Sequence, residues 1–183
     1  MKKYVEQIVR ELAHAAAMMS GDHDDRLGEA ISRAGRIFVA GAGRSGLMMK
    51  AFAMRLMHLG YSAHVVGESV TPGIAEGDLL IIGSGSGETR SLIGMLEKAK
   101  TYRATIAVVT TQPSSSISLR SDIVIVLPGA TKDHSSGLEL TAQPMGSLFE
   151  QTLLLYLDAA ILHLMELQGQ NSGKMYGRHA NLE

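Results

Sequence analysis

Cysteine and tryptophan are absent from this chain of 183 residues, and aromatic side chains make up only 4% of it. The missing cysteine excludes disulfides, thiolate catalysis and cysteine-based zinc sites. No run of five or more basic residues occurs, the formal net charge is −1 and the pI is about 6.7. Nucleic acid is therefore not expected as the main partner, and an anionic ligand would have to be held by a local site. Uninterrupted apolar runs fall short of the ~20 residues that span a bilayer. The run at Leu153–Leu157 stops at Asp158. The chain opens Met-Lys-Lys-Tyr-Val-Glu with charge recurring behind it, unlike a secretory signal. The expectation is a cytoplasmic protein with no membrane partner. His14, His58 and His64 have no companion at metal-ligand spacing, so no metal is expected.

Hydrophobic residues make up 45% and charged residues 19%, which fits one globular domain over residues 1–183. Val5, Ile8, Val9, Leu12, Ala16 and Met19 recur at helical spacing, predicting a helix over Lys2–Met19. Leu27, Ala30, Ile31 and Ala34 predict a second, with Gly35 as its stop. From Arg36 onward short apolar runs alternate with helical patterns. Strands are expected at Arg36–Ala40, Ala63–Val66, Leu79–Ile82, Ala104–Val109 and Ile123–Leu127. Helices are expected at Ser45–Leu59, Glu88–Tyr102 and Ser147–Leu167, with a short one near Ser116–Leu119.

That alternation predicts an α/β, three-layer αβα fold: a five-stranded parallel sheet flanked by helices and preceded by two N-terminal helices. Residues 1–35 form the helical lead-in, 36–168 the core and 169–183 a tail, of which Asn171–Glu183 reads as mobile. The last long helix is apolar almost all round, as expected of burial against a second subunit. Met48, Met49, Met54 and Met57 read as filling core or subunit contacts. Pro128–Gln143 is a long aperiodic connection that carries Lys132, Asp133 and His134, and long loops of this kind are usually functional or disordered.

Two glycine-rich turns each follow a strand and open a helix: Gly41-Ala-Gly-Arg-Ser-Gly46 and Gly83-Ser-Gly-Ser-Gly-Glu-Thr89. In a parallel sheet both fall at the carboxyl ends of strands, where ligands bind. Open amides and a positive helix end favour phosphate, and Gly43, Ser45, Ser84, Ser86 and Thr89 are the candidate phosphate contacts. Alone, the first turn matches the dinucleotide fingerprint, with Glu68 where a ribose-binding acid would stand. The hydroxyl-loaded second turn, and the lack of a further substrate domain, point away from NAD. A blander reading of both turns is that glycine only permits tight bends.

Ile37-Phe-Val-Ala-Gly-Ala-Gly-Arg-Ser-Gly46 followed by Asp78-Leu-Leu-Ile-Ile-Gly-Ser-Gly-Ser-Gly-Glu-Thr89 resembles the paired signature of SIS domains. Gln143-Pro-Met-Gly-Ser-Leu-Phe-Glu150-Gln and the ending Gly-Arg178-His179-Ala-Asn-Leu-Glu are similar to 6-phospho-3-hexuloisomerases, and the resemblance covers nearly the whole chain. It implies interconversion of D-arabino-3-hexulose 6-phosphate and fructose 6-phosphate in a homo-oligomer, a tetramer, with no cofactor.

Shifting a carbonyl to a neighbouring carbon needs one group that removes a proton and returns it next door, through an enediol(ate). Glu150, the first charge in an apolar helix, is one candidate. Ser147-Leu-Phe-Glu150 equally reads as a capping box, and the resemblance implies the base. His179 reads from its position as a solvated tail residue, whereas the resemblance implies acid–base help, reaching a neighbouring subunit. Arg44 is either a fork for substrate oxygens or one half of a surface ion pair. Two alternatives stand beside this reading: an isomerase of pentose or heptose phosphates, and a non-catalytic phosphosugar sensor. The ~35 residues before the first strand are too few for a separate DNA-reading domain.

Overall fold

The computed structural model describes residues 1–19, 24–129 and 141–182. Two helices come first, α1 (Lys2–Ala17) and α2 (Asp24–Arg33). They are followed by β1 (Ile37–Gly41), α3 (Gly43–Leu59), β2 (Ala63–Val65), β3 (Leu79–Gly83), α4 (Arg90–Thr101), β4 (Thr105–Thr110), β5 (Ile123–Val126), α5 (Ser147–Leu167) and α6 (Ser172–Tyr176). A short 3₁₀ turn, Ser118–Arg120, precedes β5.

The five strands form one parallel sheet in the order β2-β1-β3-β4-β5. Continuous apolar strands divide their side chains between two faces. Ile37, Val39, Leu79, Ile81, Ala107 and Val109 point to one face, where they pack with Met49, Phe52 and Leu56 of α3, Phe149, Leu153 and Leu157 of α5, and Leu27 and Ile31 of α2. Phe38, Ala40, Leu80, Ile82, Ile106 and Val108 point to the other, under Leu92, Leu96 and Ala99 of α4 and under Ile117. The crossover from β2 to β3 has no helix, and Val66 and Ile74 within it pack on this second face. The expected three-layer order is thus present, with α2, α3 and α5 on one side.

Three local expectations need correction. Gly35 does not stop α2 in a left-handed cap. It is absent from the positive-φ residues and its N–H bonds to the Gly77 carbonyl, so it serves the entry to β1. The tail is folded onto the body rather than loose. Arg178 Nη1 donates to the His58 carbonyl at 3.1 Å and Gln170 Nε2 to the Leu59 carbonyl at 3.1 Å, satisfying carbonyls that α3 leaves open at its end. Finally, α5 is long and apolar enough by length and composition to cross a membrane, despite Asp158, and half of its apolar window is buried within the fold. The methionines of α3 divide: Met49 is in the core, while Met54 and Met57 are exposed.

Candidate active site at the carboxyl end of the sheet

In this strand order the chain leaves β1 toward β2 on one side and continues in β3 on the other. The crevice at such a switch point is where open α/β sheets bind ligands. Both glycine turns arise there, one from β1 and one from β3. Between them lies a cleft of about 330 Å³, within the range of small-molecule sites. Gly43, Arg44, Ser45, Ser84, Ser86, Thr89 and Glu150 all line it.

The turns leave donors open toward this cleft. The N-cap of α3 is Ala42, which has no capping group, and the Thr89 hydroxyl makes no cap bond on α4. Two helix N-termini therefore present amides that no side chain among the described residues caps, an arrangement suited to phosphate. Ser84 Oγ accepts from the Gly87 N–H at 3.2 Å, and Ser86 Oγ from the Glu88 N–H at 3.3 Å. Each bond uses an acceptor lone pair, which leaves the hydroxyl hydrogen to donate.

Part of the glycine content is structural, in keeping with the blander reading. A Cβ on Gly46 would lie 2.7 Å from the Gly41 carbonyl oxygen, so this pair allows α3 to close on β1. The second turn is fixed from behind. The Gly85 carbonyl accepts from Thr111 N at 3.1 Å, Thr111 Oγ1 at 2.9 Å and Thr110 Oγ1 at 3.1 Å. A trans peptide points its C=O and N–H in opposite directions, so the Ser86 N–H turns away from β4. Gly87 has φ +63, and a Cβ there would meet Ser115 Oγ at 1.9 Å. Glu88 Oε1 accepts the Ser116 N–H at 2.7 Å, and this bond lowers the Glu88 pKa.

Across the cleft stands Glu150, 7% exposed. Its Oε2 accepts a hydrogen bond from Arg44 Nε at 2.5 Å. Oε1 accepts none among the described residues. The capping box does not form: α5 begins with Ser147 itself, its N-cap is Gly146, and no side chain caps it. Arg44 is indeed half of an ion pair, but its partner is the buried acid of the cleft.

His179 is not brought to this cleft. Its ring stacks on His58, 5.4 Å between centroids, and on Tyr176 at 6.2 Å. His58 lies at the far end of α3, 17 residues long, which puts about 24 Å of helix between the two places. Glu68 does not line the cleft and pairs with Lys50 at 3.5 Å. Lys132, Asp133 and His134 fall outside the described residues.

Sequence reasoning passed over Gly146 and Phe149, which also line the cleft. Phe149 Cδ1 stands 3.0 Å from where a Gly85 Cβ would be, a contact between segments 64 residues apart that no local pattern signals. Among the described residues no cluster of three or more metal-ligating side chains occurs.

The SIS domain model matches residues 30–157. The chain is 56% identical over 181 residues to the 3-hexulose-6-phosphate isomerase of Bacillus subtilis, covering 99% of this chain and 98% of that one. It is 42% identical to the enzyme of the same name from Mycobacterium gastri, over 94% of this chain and 86% of the relative. A Methanococcus jannaschii crystal structure, described as inferring a 3-hexulose-6-phosphate isomerase function, superposes with a TM-score of 0.85 at 32% identity, covering 99% of each chain. With its sheet, its paired turns and these relatives, the chain belongs to the SIS-domain family.

Proposed function

We propose that this protein interconverts D-arabino-3-hexulose 6-phosphate and fructose 6-phosphate. The observation that carries the chemistry is a buried carboxylate facing two open helix N-termini across one cleft. The substrate is supported by the 56% identity, over nearly the full length of both chains, to an enzyme named for it.

The phosphate sits on the amides and hydroxyls of Ser45, Ser84, Ser86 and Thr89, with Gly43 giving the backbone close approach. The sugar chain then extends toward Glu150. Its free oxygen takes the proton from C2 of the 3-ketose, leaving an enediol(ate) across C2 and C3. The same carboxyl returns the proton to C3 while a hydroxyl proton passes from O2 to O3, so that the carbonyl ends on C2. Arg44 holds the carboxylate before substrate enters and offers its remaining N–H groups to the developing oxyanion.

The reading includes a homo-oligomer, a tetramer. Leu47, Met54 and Met57 form an exposed stripe on α3, Tyr4, Val5 and Val9 another on α1, and Leu155 and Leu162 a third on α5. Assembly on these surfaces is how His179 would reach a cleft, that of a neighbouring subunit. Mixing Glu150→Gln with His179→Asn subunits should restore activity that each variant lacks, whereas no restoration would remove His179 from the mechanism.

The test of the main reading is a coupled assay of 3-hexulose 6-phosphate conversion with wild type and Glu150→Gln. Wild-type turnover reduced ~10²–10⁴-fold in the variant is expected. Wild-type turnover of arabinose 5-phosphate but not the hexulose would replace the substrate. Fructose 6-phosphate binding without any turnover would make the protein a sensor.

A further inference from the structure

Glu11 belongs to α1, outside the residues 30–157 that the SIS model matches. It is nonetheless tied to the approach to the cleft. Its Oε2 accepts from Thr141 Oγ1 at 2.5 Å and Gln143 Nε2 at 3.0 Å, and its Oε1 from the Ala142 N–H at 3.2 Å and Gln7 Nε2 at 3.3 Å. Three consecutive residues, 141–143, are thus held by one half-buried carboxylate. Burial by itself would raise the Glu11 pKa, but the Thr141, Gln143, Ala142 and Gln7 donors outweigh it and lower it.

The stretch between this anchor and α5 is short and strained. The Ser147 N–H bonds back to the Pro144 carbonyl at 3.2 Å, closing a turn. Met145 inside that turn has φ +56, a conformation that is costly for a residue with a side chain and persists only when both flanks are held. One flank is α5, pinned by buried Leu148 and Phe149. The other is the 141–143 segment on Glu11. Gly146, the next residue, lines the cleft, and its carbonyl accepts the Glu150 N–H at 2.9 Å. If the anchor were released, Met145 could relax toward negative φ, and Gly146 and the first turn of α5 would move with it.

We propose that Glu11 is a positioning residue: by holding 141–143 it keeps the Met145 turn wound and sets where Glu150 stands in the cleft. The inference rests on Glu150 as the proton-moving group. Such groups tolerate little displacement, since a shift of ~1 Å can cost on the order of 10²-fold in rate. The phosphate cradle lies on α3 and α4 and is untouched by the anchor, so substrate binding should survive its loss.

Wild type, Glu11→Ala and Glu11→Gln should be compared in three readouts. These are kcat, the stoichiometry and affinity of fructose 6-phosphate by calorimetry, and hydrogen exchange of the peptide 141–150. In Glu11→Ala, kcat should fall on the order of 10–100-fold, with one ligand bound per site at unchanged affinity and faster exchange confined to that peptide. Glu11→Gln retains one acceptor oxygen and should recover part of both effects. Unchanged kcat, unchanged exchange, or a loss of kcat that merely tracks lost binding sites would overturn the proposal. A wild type without turnover would instead sink the isomerase reading, and the exchange of 141–150 would still decide whether Glu11 holds the turn.

Discussion

The two ends of the sheet each carry a buried acid bonded to an arginine, and the two pairs are built differently. At the amino end Asp78, its side chain 5% exposed, accepts from Arg36 Nη2 at 2.7 Å, Arg36 Nε at 3.2 Å and the Ala75 N–H at 2.8 Å. Both oxygens are occupied. At the carboxyl end Glu150 is almost as buried, yet among the described residues only Oε2 is engaged, and by an arginine whose side chain is 61% exposed. A saturated carboxylate ties strands together, whereas one with an open oxygen beside a cleft can accept a proton. The contrast sets a saturated acid at one end against an acid with an open oxygen at the other, without reference to any relative.

Exchanging the acids for their amides breaks the comparison if it is wrong. Glu150→Gln should lose ~10²–10⁴-fold in turnover with little change in thermal midpoint. Asp78→Asn should do the reverse, losing about 2 kcal/mol because an amide –NH₂ would face donors, while turnover per folded molecule is unchanged. Parallel losses of activity and stability in either variant would erase the distinction.

Glycine sharpens the same contrast with a smaller effect. Gly87 at the carboxyl end and Gly77 at the amino end both have positive φ, +63 and +85. Of the two, Gly87 lacks room, since among the described residues nothing lies within 4 Å of a Cβ at Gly77. Gly77→Ala should therefore cost only the backbone term, about 1 kcal/mol, with normal kinetics. Gly87→Ala adds the collision with Ser115 and should raise KM for the phosphosugar on the order of tenfold or more, by deforming the cradle. Equal kinetics in the two variants would show that the buttress behind the second turn does not matter for binding.

The layers, the strands and the two turns were legible because each is a local pattern. Apolar runs, helical spacing and glycine–serine clusters all lie within a dozen residues of chain. Glu150 was legible as an oddity, a charge in an apolar helix, but its alternative as a capping box could be settled only by where α5 begins. Its partner Arg44 lies 106 positions away, a distance over which no periodicity speaks. Glu11 was invisible for the same reason: its anchor spans about 130 residues, and within α1 it reads as one more polar position on an amphipathic helix. The tail misled in the opposite way. Its glycines and charges look mobile, yet Arg178 and Gln170 find the last carbonyls of α3.

That docked tail yields the mildest test of the amino end. His58 is 3% exposed, and Arg55 Nη1 lies 3.3 Å from its Nδ1. A guanidinium only donates, so Nδ1 accepts and the ring is neutral. Burial foremost, then Arg55 and the stacked His179, lower its pKa from the usual value near 6.5. Arg178 and Tyr176 of the tail complete the surroundings. The unfolded chain therefore takes up this proton more readily than the folded one. His58 contributes stability that is complete above pH ~6.5 and is lost as pH falls through its lower folded value. Thermal midpoints of wild type and His58→Phe, which keeps a ring in the stack, should run parallel above neutrality. Below pH ~6.5 the wild type should fall relative to the variant, because only the wild type loses the His58 contribution. A gap that stays constant from pH 8 to pH 5 would mean that this end of the molecule holds its tail without regard to protons.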